Sequence, residues 1–328
     1  MKQTWFERAI FLSWYCSTPD CKFCYMSTMK GKAKRNAKRS LASVLAEAYL
    51  AKKLGWKIEF ITAGTGALTD DEMLKTLQCI FEITGEKHYL NFGALNEGQI
   101  KKFLPYIKGY CGTIECIDFE KREKLCPTKP LKPILETLKL ADRYRLEKAI
   151  TIIIGVGETK EDVPKLIDFI GDYKIDKLVL YALNPHKGTP FKEGPEKEYY
   201  LQWLKEIRRA FPNLYIVAGP WVSRVGIIHE LLESGATSIT KFPAIKIFST
   251  ETAKKIEDEC RIAGFEFQGT FTKIPEIDLS EIESVPLTGE LKSQIRKKTQ
   301  SYLLAMQGPS CKGSRGEASQ QQEPRIRC

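Results

Sequence analysis

No apolar run in this sequence approaches the roughly 20 residues that a membrane span requires. The N-terminal residues also lack the basic, apolar and small-residue succession of a secretory signal. A cytoplasmic protein with no membrane partner is therefore expected. After Cys24 no Cys or His occurs until Cys79, so the two spaced ligand pairs of a closed zinc site are missing. The basic stretch 30–39 carries Lys30, Lys32, Lys34, Arg35, Lys38 and Arg39 with no aromatic residue between them. Bases would find no ring to stack on there, so single-stranded nucleic acid is not an expected partner.

What is present points to metal. Ten cysteines in a chain without a secretory signal read as reduced thiols and ligands rather than disulfides. Three of them, Cys16, Cys21 and Cys24, stand within nine residues, directly after an apolar run at 9–15 that reads as a strand. Soft thiolates suit iron–sulfur clusters. Three rather than four would leave one iron of a cubane open. The net charge of +10 and the basic stretch suit an acidic electron donor of ferredoxin or flavodoxin type, or an acidic carrier protein.

Strand-like and helix-like segments alternate along the chain. Strands are predicted at 9–15, 57–62, 88–92, 113–117, 149–154, 178–182, 214–218 and 238–240. Helices are predicted at 41–53, with Ser40 as N-cap and Gly55 beyond the end, and after a capping box opened by Thr69. Others follow at 131–142, 160–170, 196–210, 225–233 and 251–263. Eight such units predict an α/β fold, a closed parallel (β/α)8 barrel of TIM type over residues 1–264. Residues 265–308 form a C-terminal extension packed on that barrel. The polar tail 309–328, with Cys311 and Cys328, is expected to be disordered. Cys79 and Cys260 fall in helical patterns and read as core.

The run Cys-Ser-Thr-Pro-Asp-Cys-Lys-Phe-Cys-Tyr-Met at 16–26 resembles the cluster loop of the radical SAM superfamily, Cys-x3-Cys-x-aromatic-Cys, with Phe23 at the aromatic position. Its first gap holds four residues instead of three. The resemblance implies a radical SAM barrel whose Cys16, Cys21 and Cys24 hold a [4Fe-4S] cluster. The open iron would chelate S-adenosylmethionine, and electron transfer would release a 5′-deoxyadenosyl radical. Three further motifs stand at predicted strands: Ala-Gly-Thr-Gly at 63–66, at the position where the radical SAM superfamily binds the methionine end of the cofactor but without the acidic residue often found there, and Glu115 and Gly-Val-Gly-Glu-Thr at 155–159, which are similar to the biotin synthase-like branch. A fourth is the loop Asn-Pro-His-Lys-Gly-Thr-Pro at 184–190, where His186 is a candidate for touching substrate. By that resemblance Phe23, Gly64, Thr65, Glu115 and Gly155 would bind S-adenosylmethionine, while Glu158 reads as a helix-start acid. The strands at 88–92 and 149–154 lack the cysteines that hold the sacrificial cluster of biotin synthase, which sets that enzyme itself aside.

Cys111, Cys116 and Cys126 are a second candidate ligand group. Five residues of extended strand separate Cys111 from Cys116 by roughly 16 Å and turn them to opposite faces. Cys116 and Cys126, the latter in a loop that reads as exposed, are the better pair for a second cluster. Auxiliary cysteines favour sulfur insertion into a protein-bound octanoyl chain, as in the archaeal two-component lipoyl synthase. That implies an acyl-carrying protein and a second radical SAM subunit as partners. The alternatives are the radical enzyme of iron-guanylylpyridinol cofactor assembly, which shares the wide cysteine gap, and a non-catalytic metal-binding adaptor.

Overall fold

β-branched and aromatic runs alternate with capped helices, and the computed structural model, which describes residues 1–31 and 37–307, closes them into a barrel. Lys32, Lys34 and Arg35 of the basic stretch lie outside the described residues, as do the tail at 309–328 and its two cysteines. The strands are β1 (Lys2–Phe11), β2 (Lys57–Thr62), β3 (His88–Asn91), β4 (Ile107–Glu115), β5 (Glu147–Ile154), β6 (Lys177–Ala182), β7 (Tyr215–Gly219), β8 (Ser238–Thr240) and β9 (Phe265–Gln268). Every pairing between these strands is parallel, and β1 through β8 close in sequence order through the β1–β2 and β1–β8 pairs. The helices are α1 (Leu41–Lys53), α2 (Asp70–Thr84), α3 (Glu97–Phe103), α4 (Phe119–Leu125), α5 (Leu131–Arg143) and α6 (Val163–Asp172). They continue as α7 (Lys197–Ala210), α8 (Ile228–Glu233), α9 (Ala244–Ile247), α10 (Glu251–Ile262) and α11 (Gly289–Met306). Among the described residues no helix is long and apolar enough to cross a membrane.

Two predicted strands are displaced. β1 begins at Lys2 rather than at 9, and it ends at Phe11. Its polar residues hid it: Glu7 points into the barrel, where Lys177 and the Ser238 hydroxyl hold its carboxylate. Burial opposes ionisation of Glu7, yet Lys177 keeps it below the usual carboxylate range. β4 spans Ile107–Glu115, not 113–117. Gly109 and Gly112 broke the apolar pattern there. A Cβ on Gly109 would stand 2.5 Å from the Tyr89 ring, so the strand uses glycine to admit that ring into the barrel.

The extension at 265–307 is integral to the packing. β9 pairs residues 2–5 of β1. α11 lies on α1, whose residues from Ala42 to Ala51 are all buried. A helix buried on every side needs a second layer outside it, and α11 supplies that layer. The Tyr302 hydroxyl bonds the Ser43 hydroxyl at 2.7 Å, tying the two together.

Candidate active site at the barrel mouth

In a parallel barrel the chain leaves each strand at one rim, and reactive groups gather there. The cysteine loop leaves β1 and is fastened on two sides. Ser17 N–H donates to the Thr65 carbonyl at 2.8 Å, and Lys22 N–H donates to the Leu125 carbonyl at 2.9 Å. The Thr128 hydroxyl bonds Asp20 at 2.6 Å. Cys16, Cys21 and Cys24 are half-buried, and Cys24 opens the 3-10 turn Tyr25–Met29.

Gly64 is the wall behind this loop. A Cβ there would stand 2.1 Å from the Tyr15 carbonyl oxygen and 2.8 Å from the Cys16 Cβ. The close approach that glycine permits is therefore made, in this structure, by the cysteine loop itself. Gly66 repeats the pattern, with φ of +67° and a built Cβ 2.8 Å from Ser17 Oγ. Thr65 lends its carbonyl to Ser17. Phe23 packs against the apolar cluster that contains Cys116, Leu125, Cys126, Ile153 and Val156.

Glu115 ends β4 at a left-handed φ of 68°. It is buried, and its carboxylate accepts from Lys129 Nζ at 3.3 Å and from the Thr151 hydroxyl at 3.2 Å. Desolvation pulls the Lys129 ammonium down, but Glu115 foremost and the Cys21 and Cys126 sulfurs after it hold it above its ordinary range. Gly155 takes φ of +102°, and a Cβ there would strike Pro195 at 2.9 Å. Glu158 folds back beneath this turn, accepting from Gly155 N–H at 2.6 Å and Val156 N–H at 2.9 Å. It holds the glycine turn rather than starting a helix, and burial raises its carboxyl.

The other cysteines separate. Cys111 faces the barrel interior beside Ala9, Phe60 and Tyr89 and accepts from Asn91 Nδ2 at 3.6 Å. Cys79 and Cys260 are buried in the core. Cys126 is fully buried, not exposed as its loop suggested. α4, which the charged run Phe-Glu-Lys-Arg-Glu-Lys-Leu concealed, turns it inward at the helix end, into the apolar cluster against which Cys21 packs. Cys116 lies in the same apolar cluster. The basic stretch also divides: Lys38 pairs with Glu72 at 2.7 Å, and Arg39 is drawn inward onto Glu47 at 2.5 Å.

Sequence reasoning missed Trp221 and Lys241, which follow β7 and β8. Both hold left-handed φ, 68° and 73°. Trp221 stacks edge-on with His186 at 6.1 Å, and His186 with Tyr25 at 5.6 Å, so the 184–190 loop rests on the turn after the cysteines. Position at the C-terminal rim was the only signal that could have flagged them. A cavity of about 440 Å³ opens at the opposite end of the barrel, lined by Glu7, Lys57, His88, Lys108 and Lys177, away from the cysteines.

The donors fit an iron–sulfur cluster better than a lone ion. Among the described residues no three His, Cys, Asp or Glu side chains are grouped closely enough for a single metal ion. The three thiols nonetheless share one anchored loop, and cluster corners spread their thiolates wider than one ion does. Burial pushes the Cys24 thiol up to about 11. Coordination to an iron of a cluster would favour its thiolate form.

Comparison with known proteins agrees. The family model described as Radical SAM superfamily matches residues 16–170. An uncharacterized protein of Methanocaldococcus jannaschii is 38% identical over 319 residues, covering 91% of this chain and 88% of its own. A biotin synthase of Thermotoga neapolitana is 29% identical over 186 residues, 54% of this chain and 65% of that one. The chain thus spans less than two thirds of that relative. Among solved structures, methylornithine synthase shares the fold with a TM-score of 0.66 at 17% identity, covering 86% of each chain. The FeFe-hydrogenase maturase HydG from Carboxydothermus hydrogenoformans gives 0.61 at 14% identity, covering 92% of this chain and 77% of that one.

Proposed function

Because the chain belongs to the radical SAM superfamily, in its biotin synthase-like branch, we propose that it takes a hydrogen atom from an unactivated carbon of a small substrate at the barrel mouth. Cys16, Cys21 and Cys24 would hold a [4Fe-4S] cluster, and Gly64, Thr65, Glu115, Gly155 and Phe23 would line the place of S-adenosylmethionine. A cluster held there would supply the one electron that cleaves the sulfonium C5′–S bond of S-adenosylmethionine to methionine and a 5′-deoxyadenosyl radical. The chain's own work is positional. The Gly64 wall fixes the height of the cysteine loop. Lys129 and Thr151 hold the Glu115 carboxyl group in place. The ring contacts of His186 with Tyr25 and Trp221 hold the 184–190 loop on the turn after the cysteines. The positive charge of the sequence at 30–39 would suit an acidic electron donor.

The observation that carries this reading is the contact of the cysteine loop with the Gly64 turn, since it joins two motifs far apart in the chain at one rim. Reconstituted protein should cleave S-adenosylmethionine when reduced with dithionite, and Cys21→Ala should not. Cleavage by that variant at the wild-type rate would refute the assignment.

The finer chemistry divides at Cys126. Cys21 packs against the apolar cluster that holds Cys126, which leaves little room for a second cluster between them and supports a single cluster, with the kind of small-molecule chemistry found in iron-guanylylpyridinol cofactor assembly. Sulfur insertion into a protein-bound octanoyl chain, with an acyl-carrying protein and a second subunit as partners, is the other reading. Cys116 and Cys126 favour it by lying in one apolar cluster, where they would share a second iron–sulfur cluster as sulfur source. Iron analysis separates the two. About four irons per chain fits the first reading and about eight fits the second. Loss of the additional irons in Cys126→Ser would assign them to this site.

A further inference from the structure

We infer that Lys241 is the anchor for an anionic group, a carboxylate or a phosphate, on the molecule that enters the barrel mouth. The inference deepens the radical SAM reading, on which it rests, by naming the charge of the substrate.

Lys241 stands immediately beyond β8. Its ammonium lies 4.1 Å from the centre of the Tyr181 ring, 5.7 Å from Trp221, 5.8 Å from Phe60 and 5.9 Å from Phe11. Four rings hold the cation in place through their negative faces, yet rings do not neutralise it. Two other lysines at the barrel have an acid, Lys177 with Glu7 and Lys129 with Glu115, whereas Lys57 on β2 lies over Trp5 and Tyr215 and donates to the Tyr215 hydroxyl. Lys241 has no acid among the described residues. The acid nearest in the network, Glu59, is taken by the Tyr181 hydroxyl at 2.5 Å and the Thr240 hydroxyl at 2.7 Å, and it makes no ion pair with Lys241.

The surrounding backbone is shaped for this arrangement. A Cβ on Gly219 would stand 2.4 Å from the Tyr181 ring and 3.1 Å from Lys241 Cγ, so glycine makes the room that both side chains use. Glu115, Trp221 and Lys241 all hold left-handed φ at the rim of the barrel. Non-glycine residues pay for that conformation with strain, which persists where it aims a group. The Thr113 hydroxyl gives an independent sign. It alternates with Cys111 on the inner side of β4, it is 8% exposed, and it has no partner among the described residues. A polar hydroxyl buried without a partner inside the barrel is a donor waiting for an acceptor.

An octanoyl chain held as an amide offers Lys241 no charge. The inference therefore sides with a small charged substrate over sulfur insertion into an acyl-protein.

The test uses the full-length protein, without reconstitution. Acetate, octanoate, glutarate, inorganic phosphate and S-adenosylmethionine are each titrated while binding is followed by calorimetry and thermal shift. Wild type should bind one of the carboxylates or phosphate saturably, and the arm that binds identifies the anion. Lys241→Met, which keeps the stem, should weaken that binding about 10- to 100-fold, and Lys241→Arg should retain most of it. Gly219→Ala, which leaves the charge but crowds the cage, should also weaken it, so the outcome does not hang on one variant. The inference is overturned if no anion binds wild type, if Lys241→Met binds as wild type does, or if S-adenosylmethionine alone loses affinity. Reductive cleavage of S-adenosylmethionine by wild type is scored separately. Its absence would sink the radical reading and leave the anion result standing.

Discussion

Replacing Gly64 by alanine tests how the site is built. The added Cβ would lie 2.1 Å from the Tyr15 carbonyl oxygen and 2.8 Å from the Cys16 Cβ. Carbon–oxygen contacts normally stop near 3.3 Å, so one of the two loops must move by about 1 Å. Both colliding groups belong to the chain beside Cys16, and no long side chain can swing away. Overpacking of this kind costs about 1–3 kcal/mol. With an m-value of roughly 3 kcal/mol/M in urea, the midpoint should fall by about 0.3–1 M. The larger effect should be on the cluster, because displacement of about 1 Å at a reacting centre can cost about 100-fold in rate. Anaerobic reconstitution followed by iron analysis and visible absorbance reads the loss directly. Gly289→Ala is the control: a Cβ there meets nothing within 4 Å, and it sits in the first turn of α11. It should stabilise the protein by about 0.4–1 kcal/mol and leave iron uptake unchanged. If Gly64→Ala takes up iron and cleaves S-adenosylmethionine like wild type, the Gly64 wall does not set the position of the cysteine loop.

Three other expectations concern different layers of the molecule. His88 is buried against the Thr84 hydroxyl, and desolvation first, with Lys108 and Lys177 after it, brings its pKa down to about 4. The unfolded chain takes up this proton below about 6.5 and the folded one only near 4. Stability from His88 is thus full above about pH 6.5 and lost as pH falls towards 4, by about 3 kcal/mol at most. His88→Gln should flatten that part of the urea midpoint against pH, and an unchanged slope would contradict the assignment. Glu115→Gln and Lys129→Met should each cost about 1–3 kcal/mol by stranding the other group, and the double variant should cost less than the sum. Additivity in denaturant titrations would show that the pair is not coupled. Removing residues 265–307 uncovers the outer face of α1, so the truncated chain should lose its cooperative thermal transition, and a sharp melt near the wild-type temperature would count against that packing role.

The barrel was legible because its signals are local. Ser40 caps α1 through Ser43 N–H, and Thr69 and Glu72 form the capping box of α2. The boundaries of β2 and β8 follow from short apolar runs between turns. Whatever depended on a distant partner was concealed. Glu7 made β1 look like a surface segment until Lys177, 170 residues away, stood opposite it. β9, with only four residues, has no pattern of its own and is a strand because β1 offers an edge. Among the candidate site residues, the cysteine spacing marked Cys16, Cys21 and Cys24 as one group, since all three share a loop. The burial of Cys126 and the cage around Lys241 are assembled from four or more elements, and no window of sequence contains them.

The pairing of β9 with the first residues of β1 has a consequence for the order in which the molecule matures. β1 cannot find all its neighbours until residue 268 has been made. At 5–20 residues per second that is a delay of roughly 13–50 s. The walls of the cysteine loop arrive at different times: the Gly64 turn early, the Cys126 turn midway, and the closing contact of β1 with β8 only near residue 240. During that interval three thiols are held by an unfinished barrel. A cluster on these thiols would therefore be loaded after the last strand is in place, or shielded by a carrier until then. Expression conditions that slow iron delivery relative to synthesis should leave a folded, colourless protein that still accepts its cluster.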